Sequence, residues 1–325
     1  MRVSKKILVA GGSGMLGRAV VKSLLKFCPE TYVRASYFGQ KIASQEKNQV
    51  EWIQSDLRSL EQCRALCRGC DEAIMAAATT GGAFQLTKEP WRQVNDNLLM
   101  NAQLLEAFYQ EGVKRVIFVG SATVYQEKEG GLKEEDLDLN QDPHGAHWGI
   151  GWTMRYLEKL CDFWHRTCGM ELIIVRAANI FGPFAKFDPK VSNFIPALIR
   201  KAVDAMEPFE VWGRPEVTRD VIYSEDIAEA VIKLLNEQRL KFDVFNLGSS
   251  QEVTVGEVVK WVNDAAQYNP KKINYMTDKP VTVKHRFLDC TKIERLLGWR
   301  PRHSTKEGIK KTVEWWKENR YKWSR

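Results

Sequence analysis

The sequence predicts an α/β protein in which a doubly wound parallel sheet is followed by a smaller C-terminal α/β lobe. Short apolar runs alternate with helical patterns through the first half, as expected for parallel strands joined by crossover helices. A glycine-rich turn separates the first strand from the first helix. The 325 residues are 44% hydrophobic and 27% charged, which excludes a disordered or fibrous chain.

The predicted elements follow one another in a regular order. We expect strands over residues 6–10, 32–36, 51–54, 73–78, 115–119 and 171–176. We expect helices over residues 14–27, 60–68, 94–111 and 150–167. Residues 220–222 and 244–247 have the pattern of strands that return to the main sheet. No stretch of about 18 apolar residues occurs, so no helix is expected to span a bilayer.

The rhythm of the sequence changes after about Phe181. Prolines and glycines cluster from Gly182 to Pro215, and the predicted strands and helices become short. We therefore expect one domain over residues 1–180, which also receives strands from about 220–247. Residues 181–325 are expected to form a smaller lobe interleaved with it.

Positive charge is concentrated near the C-terminus. The chain has 48 Lys and Arg against 41 Asp and Glu, but residues 270–325 hold 16 against 6. A basic lobe attracts anions, either nucleic acid or a phosphorylated small molecule. No nucleic-acid reader motif accompanies the basic residues, so we favour a small phosphorylated ligand and expect no nucleic-acid partner.

The N-terminus and the cysteines both suggest a reduced, cytoplasmic setting. Met1 leads within a few residues into an apolar strand, without the pattern of a secretion signal. Cys63, Cys67 and Cys70 share one face of a predicted helix, but no His or fourth thiolate follows at ligand spacing. We predict core packing for them, no metal site, and no membrane partner.

The glycine-rich turn has the context of a dinucleotide site. Glycine allows a tight turn and a close approach of backbone N–H groups to a pyrophosphate, and the helix N-terminus adds a partial positive charge. The position of the turn between a strand and a helix favours a Rossmann-like NAD(P) site over a turn without a ligand. The residues expected to bind the cofactor here are Gly11, Ser13, Gly14, Met15, Leu16 and Gly17.

The second strand bears on the choice between NAD and NADP. An acidic residue at its end would bind the adenosine ribose, but residues 32–36 read YVRAS and contain no Asp or Glu. Arg34 could instead face a 2′-phosphate. We therefore favour NADP(H) over NAD(H), with a simply exposed Arg34 as the alternative.

Further motifs follow the glycine turn in order: Asp56-Leu57, Ala76-Ala77-Ala78, Asn95, SATVY at 121–125, NIFGP at 179–183, RDVIY at 219–223 and LGWRP at 297–301. In this order and spacing, the chain resembles the extended short-chain dehydrogenase/reductase family of nucleotide-sugar epimerases, dehydratases and reductases. AAATTGG at 76–82 and FDPKVSNFIPALIRK at 187–201 look most like the GDP-fucose synthase group of that family.

The resemblance implies further contacts and an assembly. Asp56 and Leu57 would hold the adenine, the three alanines would lie beside the pyrophosphate, and Asn95 would contact the cofactor from the long helix. A nucleotide-diphosphate sugar would be the small-molecule partner, bound in the C-terminal substrate lobe. A homodimer would form through helices over residues 91–111 and 150–167, packed as a four-helix bundle.

The family's usual catalytic pair is missing from this chain. The family places a Tyr and a Lys four residues apart on one helix face, with a Ser or Thr hydroxyl on the reacting oxygen. Ser121 matches that hydroxyl. Ile150 and Met154 occupy the positions of the Tyr and the Lys, so neither proton transfer nor a contact to the nicotinamide ribose is available from them.

Two further catalytic positions also differ. GDP-fucose synthases use a Cys and a His to epimerise the carbons beside the ketone, and Thr123 and Asn193 stand at those positions. His144 and His147 lie just before the altered helix, where the family borders the sugar pocket. We take His147 as the candidate replacement acid or base, with a solvated loop histidine as the alternative.

The resemblance also implies a substrate site and leaves two functions open. Asn179, Asn193 and Lys201 would line the sugar-nucleotide pocket, and Arg219 would bind the diphosphate in a bidentate manner. The chain is then either an NAD(P)-dependent nucleotide-sugar oxidoreductase or epimerase with relocated acid–base groups, or a pseudoenzyme. The pseudoenzyme would bind both ligands as a sensor or as the silent partner of an active homologue.

Overall fold

The main sheet has seven strands, all parallel to their neighbours, in a computed structural model that describes residues 5–39, 50–81, 89–277 and 286–321. Its order is β12-β7-β5-β4-β1-β2-β3. These strands are β1 (Lys6–Ala10), β2 (Tyr32–Tyr37), β3 (Glu51–Gln54), β4 (Glu72–Met75), β5 (Arg115–Ser121), β7 (Glu171–Ala177) and β12 (Phe242–Leu247). The predicted α/β class and doubly wound parallel sheet are confirmed.

Helices cover the sheet and build the second lobe. The described helices are α1 (Met15–Phe27), α2 (Leu60–Cys67), α3 (Pro90–Gln110), α4 (Trp148–Cys168), α5 (Phe194–Val203), α6 (Ser224–Asn236), α7 (Val255–Ala266), α8 (Thr291–Leu297) and α9 (Thr305–Asn319). Helix α1 packs against α6, whereas α3 packs against both α2 and α4. The thiols of Cys63, Cys67 and Cys70 are buried in this core, as predicted.

The remaining strands form short two-stranded pairs outside the main sheet. They are β6 (Gly130–Leu132), β8 (Asn179–Phe181), β9 (Phe209–Trp212), β10 (Thr218–Arg219), β11 (Val221–Tyr223), β13 (Val253–Thr254), β14 (Ile273–Met276) and β15 (Arg286–Leu288). Strand β12 joins the main sheet beside β7, as expected for residues 244–247. The expectation for residues 220–222 is wrong, because β11 pairs with β8 instead.

A second hydrophobic core lies outside the main sheet. It gathers buried residues of α5, α7 and α9 together with Phe181, Phe187 and Tyr223. Helix α6 follows β11 directly but packs in the main core, so the chain passes between the two cores more than once. Two segments that follow residue 180, strand β12 and helix α6, therefore pack with the unit expected over residues 1–180.

The sheet order creates a crevice beside β1. The chain moves from β1 to β2 and β3 on one side, then returns to β4 and β5 on the other. Such a reversal separates the loops that follow the two central strands, and ligands of open α/β sheets bind there, beyond the carboxyl ends of the strands. The loops after β1, β4 and β5 therefore border the candidate site.

A buried ion pair joins helix α4, which carries Ile150 and Met154, to strand β7 of the main sheet. Arg176 in β7 donates to both carboxylate oxygens of Glu158, at 2.9 and 2.8 Å. The Arg176 side chain also donates to the hydroxyl of Tyr125, at 3.0 Å. Both charged side chains are nearly inaccessible, at 5% and 9% relative exposure, so each depends on the other for compensation.

We expect Glu158→Ala to lower the free energy of unfolding by about 3–5 kcal/mol, because the Arg176 charge would stay buried without its partner. Asp162→Ala is the matched control on the same helix, since it breaks an (i, i+4) pair with the 76% exposed side chain of Arg166. That loss should be about 0.5 kcal/mol or less. Urea unfolding measures both, and equal losses would contradict the prediction.

Candidate functional site: the crevice beside the first strand

The glycine turn is closely packed at two points. Gly11 has a φ of +82°, and a Cβ there would lie 2.5 Å from the Ala77 Cα. A Cβ on Gly17 would lie 2.1 Å from the Gly11 carbonyl oxygen. Distances this short require glycine, which lets α1 and the loop after β4 approach the turn. The predicted turn therefore has the close backbone approach of a dinucleotide site.

The start of α1, which follows the glycine turn, is suited to binding an anion. The Gly11 N–H donates to the Ser36 hydroxyl at 2.8 Å, and the Ser13 N–H donates to the Ser36 carbonyl at 3.3 Å. The first turn of α1, which contains Met15 and Leu16, carries no acidic residue. A helix N-terminus without a local carboxylate presents N–H groups and a partial positive charge to a phosphate. The residues at this position thus fit a bound dinucleotide.

The loop after β4 faces the glycine turn. The Ala76 N–H donates to the Ala10 carbonyl at 2.9 Å, which continues the pairing of β4 with β1. Ala77 is the residue that Gly11 approaches, and Ala78 is exposed. All three alanines therefore border the crevice. Gly82 of the same motif lies outside the described residues.

The contact of Asn95 with the cofactor stays a prediction, and a second asparagine of α3, Asn97, was missed from the sequence. Asn95 is exposed, whereas Asn97 is 1% exposed. The Asn97 side chain accepts from the Thr79 N–H and donates to the Thr79 carbonyl, both at 2.9 Å. Asn97 therefore shapes the loop beside the crevice. The helical period could have found it, because Asn97, Asn101 and Leu104 share the buried face of α3.

The predicted contact of Arg34 with a 2′-phosphate is not supported by its surroundings. Its guanidinium binds both carboxylate oxygens of Glu51, at 2.8 and 3.0 Å. It also donates to the carbonyls of Leu66 and Arg68, each at 2.8 Å. Arg34 lies in the middle of β2, which ends at Tyr37 rather than at Ser36. Its side chain is buried and has a structural role.

Asp56 and Leu57 lie just beyond β3, on the β2–β3 side of the crevice. The guanidinium of Arg58 donates to both carboxylate oxygens of Asp56, at 2.9 and 2.8 Å. This contact holds the pKa of Asp56 below its usual range. Leu57 is buried, so the backbone there is well fixed. The position is consistent with the expected adenine side of the site.

Ser121 and Thr123 lie together where β5 ends. The Ser121 hydroxyl accepts from the Thr123 N–H at 3.2 Å and begins a short 3₁₀ turn over residues 122–124. The Thr123 hydroxyl is buried and has no hydrogen-bond partner among the described residues. A buried hydroxyl without a partner is costly, which makes Thr123 a candidate contact for a bound ligand.

Ile150 and Met154 lie on the face of α4 that packs toward the main core. Met154 is 7% exposed, and Ile150 is half-buried against the same cluster. A Cβ on Gly151 would lie 2.7 Å from the Thr123 carbonyl oxygen, so this helix approaches the turn after β5 closely. Both side chains are apolar and cannot exchange a proton.

His147 precedes α4 in a 3₁₀ turn that spans residues 145–147. Burial, together with the neighbouring charges of Arg286, His144 and Arg219, lowers its pKa to about 4. The His144 and His147 ring centroids are 6.2 Å apart. The His144 Nδ1 accepts from the Ala146 N–H at 3.1 Å. His147 is therefore a neutral imidazole at neutral pH, next to positive charge.

Two arginines from separate strands supply that charge. Burial and the neighbouring charge of Arg286 together lower the pKa of Arg219 to about 10. Arg219 donates to the Thr218 carbonyl at 2.7 Å. One terminal nitrogen of Arg286 is buried without a partner among the described residues. The structure thus brings together His144, His147, Arg219 and Arg286, an arrangement that suits a diphosphate.

The sequence analysis did not identify Arg286 as a site residue. The position of Arg286 depends on the buried carboxylate of Asp220. The Asp220 carboxylate accepts from the Leu288 N–H at 2.9 Å and from the Ser249 N–H at 2.8 Å. Arg219 therefore lies beside Asp220, and Arg286 lies two residues before Leu288 on β15. The signal for Arg286 was the local excess of basic residues, but many other lysines and arginines share that segment.

The other predicted substrate residues are more dispersed. The Asn179 side chain donates to the Asp220 carbonyl at 3.1 Å. Asn193 is exposed at the start of α5 and makes no side-chain capping bond there. Lys201 donates from the other end of α5 to the Glu210 carbonyl at 2.7 Å, and burial lowers its pKa. Of these three, Asn179 has a contact to the segment that carries Arg219.

Two absences hold for the part of the chain that the structure describes. None of its helices is both long and apolar enough to cross a membrane. No cluster of three His, Cys, Asp or Glu residues is arranged there to hold a metal ion.

This combination of parallel sheet, glycine turn and crevice defines a Rossmann-like dinucleotide-binding fold, and the comparisons with known proteins identify the class. Residues 7–248 match the model of the NAD dependent epimerase/dehydratase family. The chain therefore belongs to that family, as the sequence predicted.

Relatives and solved structures agree with this assignment. The GDP-L-fucose synthase of Sinorhizobium fredii is 30% identical over 316 residues, which cover 95% of each chain. The GDP-mannose 3,5-epimerase of Arabidopsis thaliana is 26% identical over 96% of this chain and 82% of its own. The UDP-glucose 4-epimerase of Thermus thermophilus, solved with NAD, has a TM-score of 0.82 and 22% identity, covering 96% and 99% of the two chains.

Proposed function

We propose that this protein binds NAD(P) and a nucleotide-diphosphate sugar, with a GDP-sugar as the preferred class. It would act on the sugar as an epimerase or reductase with altered acid–base groups. The main support is the pair Arg219 and Arg286, in which one buried guanidinium nitrogen of Arg286, without a partner among the described residues, lies near the half-buried Arg219. An anionic ligand would compensate both charges, and a diphosphate matches their fork-shaped donors. The GDP-L-fucose synthase relatives favour the GDP class.

The residues of the crevice suggest how the two ligands would be held. The backbone N–H groups at the start of α1 would hold the dinucleotide diphosphate, and Ala77 would support the turn from below. A dinucleotide bound there supplies hydride transfer to or from the sugar. Ser121 would orient the reacting oxygen, and the unpartnered Thr123 hydroxyl would donate a second hydrogen bond to the sugar.

Proton transfer with the sugar would have to use a group outside the face of α4 that holds Ile150 and Met154. His147 is the titratable candidate, and its depressed pKa makes it neutral and able to accept a proton. A diphosphate on Arg219 and Arg286 would offset the positive charge that lowers this pKa. His147 would thus become a stronger base when the sugar nucleotide is bound.

A silent, ligand-binding protein is the second candidate function. It is favoured by Ile150 and Met154, which place apolar side chains where a proton donor and an amine would be needed. General acid–base catalysis contributes roughly 10²–10⁴-fold, so its loss would leave turnover slow. Such a protein would keep both ligand sites and serve as a sensor or as the partner of an active homologue.

We expect Arg286→Met to weaken binding of GDP about 10- to 100-fold, because one charged hydrogen bond is worth about 1.5–3 kcal/mol. Arg219→Met should behave similarly. Arg214→Met is the matched control, since Arg214 is an exposed arginine on the same chain segment. Isothermal titration calorimetry with GDP measures all three. Equal affinities for Arg286→Met and Arg214→Met would contradict the proposed diphosphate site.

Turnover distinguishes the two candidate functions. Purified protein is incubated with NADPH or NADH and a panel of GDP-, UDP- and dTDP-4-keto sugars. For an enzyme with relocated groups we expect turnover that falls about 10²-fold or more with His147→Ala, and less with Ser121→Ala. For a silent protein we expect binding without turnover, and activity gained by Ile150→Tyr with Met154→Lys. If His147→Ala keeps both ligand binding and turnover, His147 is not the base.

We also propose a homodimer through α3 and α4. The outward faces of these helices expose Leu99, Tyr109, Tyr156 and Phe163, at 46–56% relative exposure.

Light scattering should give the mass of two chains. Phe163→Glu should shift this mass toward one chain, because a charge in an apolar interface is costly. Phe27→Glu on α1 alters a similarly exposed ring elsewhere and should leave the dimer intact; a wild-type mass of one chain would refute the proposal.

A further inference from the structure

The loop after β8 begins at a tightly packed glycine and crosses the dinucleotide crevice. We refer to residues 182–188 as the strap. A Cβ on Gly182 would lie 2.2 Å from the Ser224 hydroxyl oxygen, so the strap starts in close contact with the beginning of α6. None of the functions assigned above uses the side chains of this segment.

One end of the strap is attached to α1. The Phe184 ring lies 4.5 Å from the Arg18 guanidinium carbon, and its centroid lies 4.7 Å from that of Trp315. Arg18 in turn donates to the Ser13 carbonyl at 3.2 Å, so its charge lies at the glycine turn. Phe184 has a φ of +64°, a left-handed conformation that is costly for a bulky residue. Its ring contacts compensate for that cost.

The other end is attached to the loop that follows β4. The Lys186 amine donates to the Thr80 carbonyl at 2.7 Å. The next residue, Phe187, stacks on Trp316 with ring centroids 3.9 Å apart. The strap is therefore held by α1, by the loop after β4 and by α9.

These attachments lie on opposite sides of the crevice. Arg18 follows β1, and Thr80 follows β4; the two strands are neighbours in the sheet, and the connections diverge between them. Phe184 and Lys186 are two residues apart, so their Cα atoms are separated by at most about 7 Å. The strap thus crosses the crevice next to the turn whose N–H groups would face a bound diphosphate.

We propose that the strap closes over the bound dinucleotide, with the Lys186 amine and the Arg18 guanidinium contacting its diphosphate from the side opposite the glycine turn. The inference rests on the proposed function. The Lys186 amine would exchange the Thr80 carbonyl for a phosphate oxygen, and Arg18 is already held in place by Phe184 and Ser13. The amine would then supply from the second lobe a positive charge that Met154 does not supply from α4. Because the strap must open before the cofactor leaves, its contacts should slow dissociation.

The test measures dinucleotide affinity and dissociation rate. NADPH is bound to the full chain, its fluorescence is followed, and dissociation is started with an excess of NADP⁺. We expect Lys186→Met to raise Kd about 10-fold, mostly through faster dissociation. Lys190→Met is the matched control, since Lys190 is an exposed lysine four residues further along. Lys186→Arg keeps the charge and should restore most of the affinity.

A second variant separates the clamp from general damage to the fold. Phe184→Gly removes the ring but suits the left-handed backbone, so the fold should be kept while dissociation accelerates. AMP lacks the diphosphate bridge, so its affinity should change little in Lys186→Met. Equal dissociation rates for Lys186→Met and Lys190→Met would overturn the strap proposal alone. A wild-type chain that binds neither NADPH nor NADH would overturn the proposed function and the strap together.

Discussion

The buried carboxylate of Asp220 is the interaction on which the substrate side of this molecule depends. It joins three segments that are far apart in sequence, because it accepts hydrogen bonds from the backbone at Ser249 and Leu288 as well as from the Ser249 hydroxyl. Gly248 has no side chain at the point where a Cβ would lie 2.2 Å from this carboxylate. Burial raises the pKa of Asp220, and the hydrogen bonds oppose that shift. The result is a fixed frame for the arginines on either side of it.

The consequence of that frame is a concentration of buried positive charge. Arg219 lies within the field of Arg286, and both lose part of their hydration. Burial, with the charge of these arginines, keeps neighbouring His147 neutral. Like charges in a poorly hydrated place are unfavourable unless an anion compensates them. The diphosphate of the proposed sugar nucleotide would supply such an anion.

The dinucleotide side is organised by close backbone packing rather than by charge. Gly11 touches Ala77 and Gly17 touches Gly11, so the glycine turn, α1 and the loop after β4 form one tightly packed unit. The apolar Ile150 and Met154 occupy the adjoining face of α4, held in register by the Arg176–Glu158 pair below. Binding groups and fold are thus retained around positions without acid–base chemistry, which is why turnover and binding need separate measurement.

Much of this molecule was determined by its sequence. Strand–helix alternation, the glycine turn and the ordered motifs gave the parallel sheet and the family, because local periodicity and tight turns depend on neighbouring residues. The prediction that Ile150 and Met154 stand at the positions of the usual pair also came from the sequence. The tertiary structure alone decided which of many polar residues meet. It buried Arg34 against Glu51, joined Asn97 to the loop after β4, and brought Arg286 beside Arg219. Such contacts depend on which strands and loops pair across long stretches of chain, and a single sequence carries no direct record of that pairing.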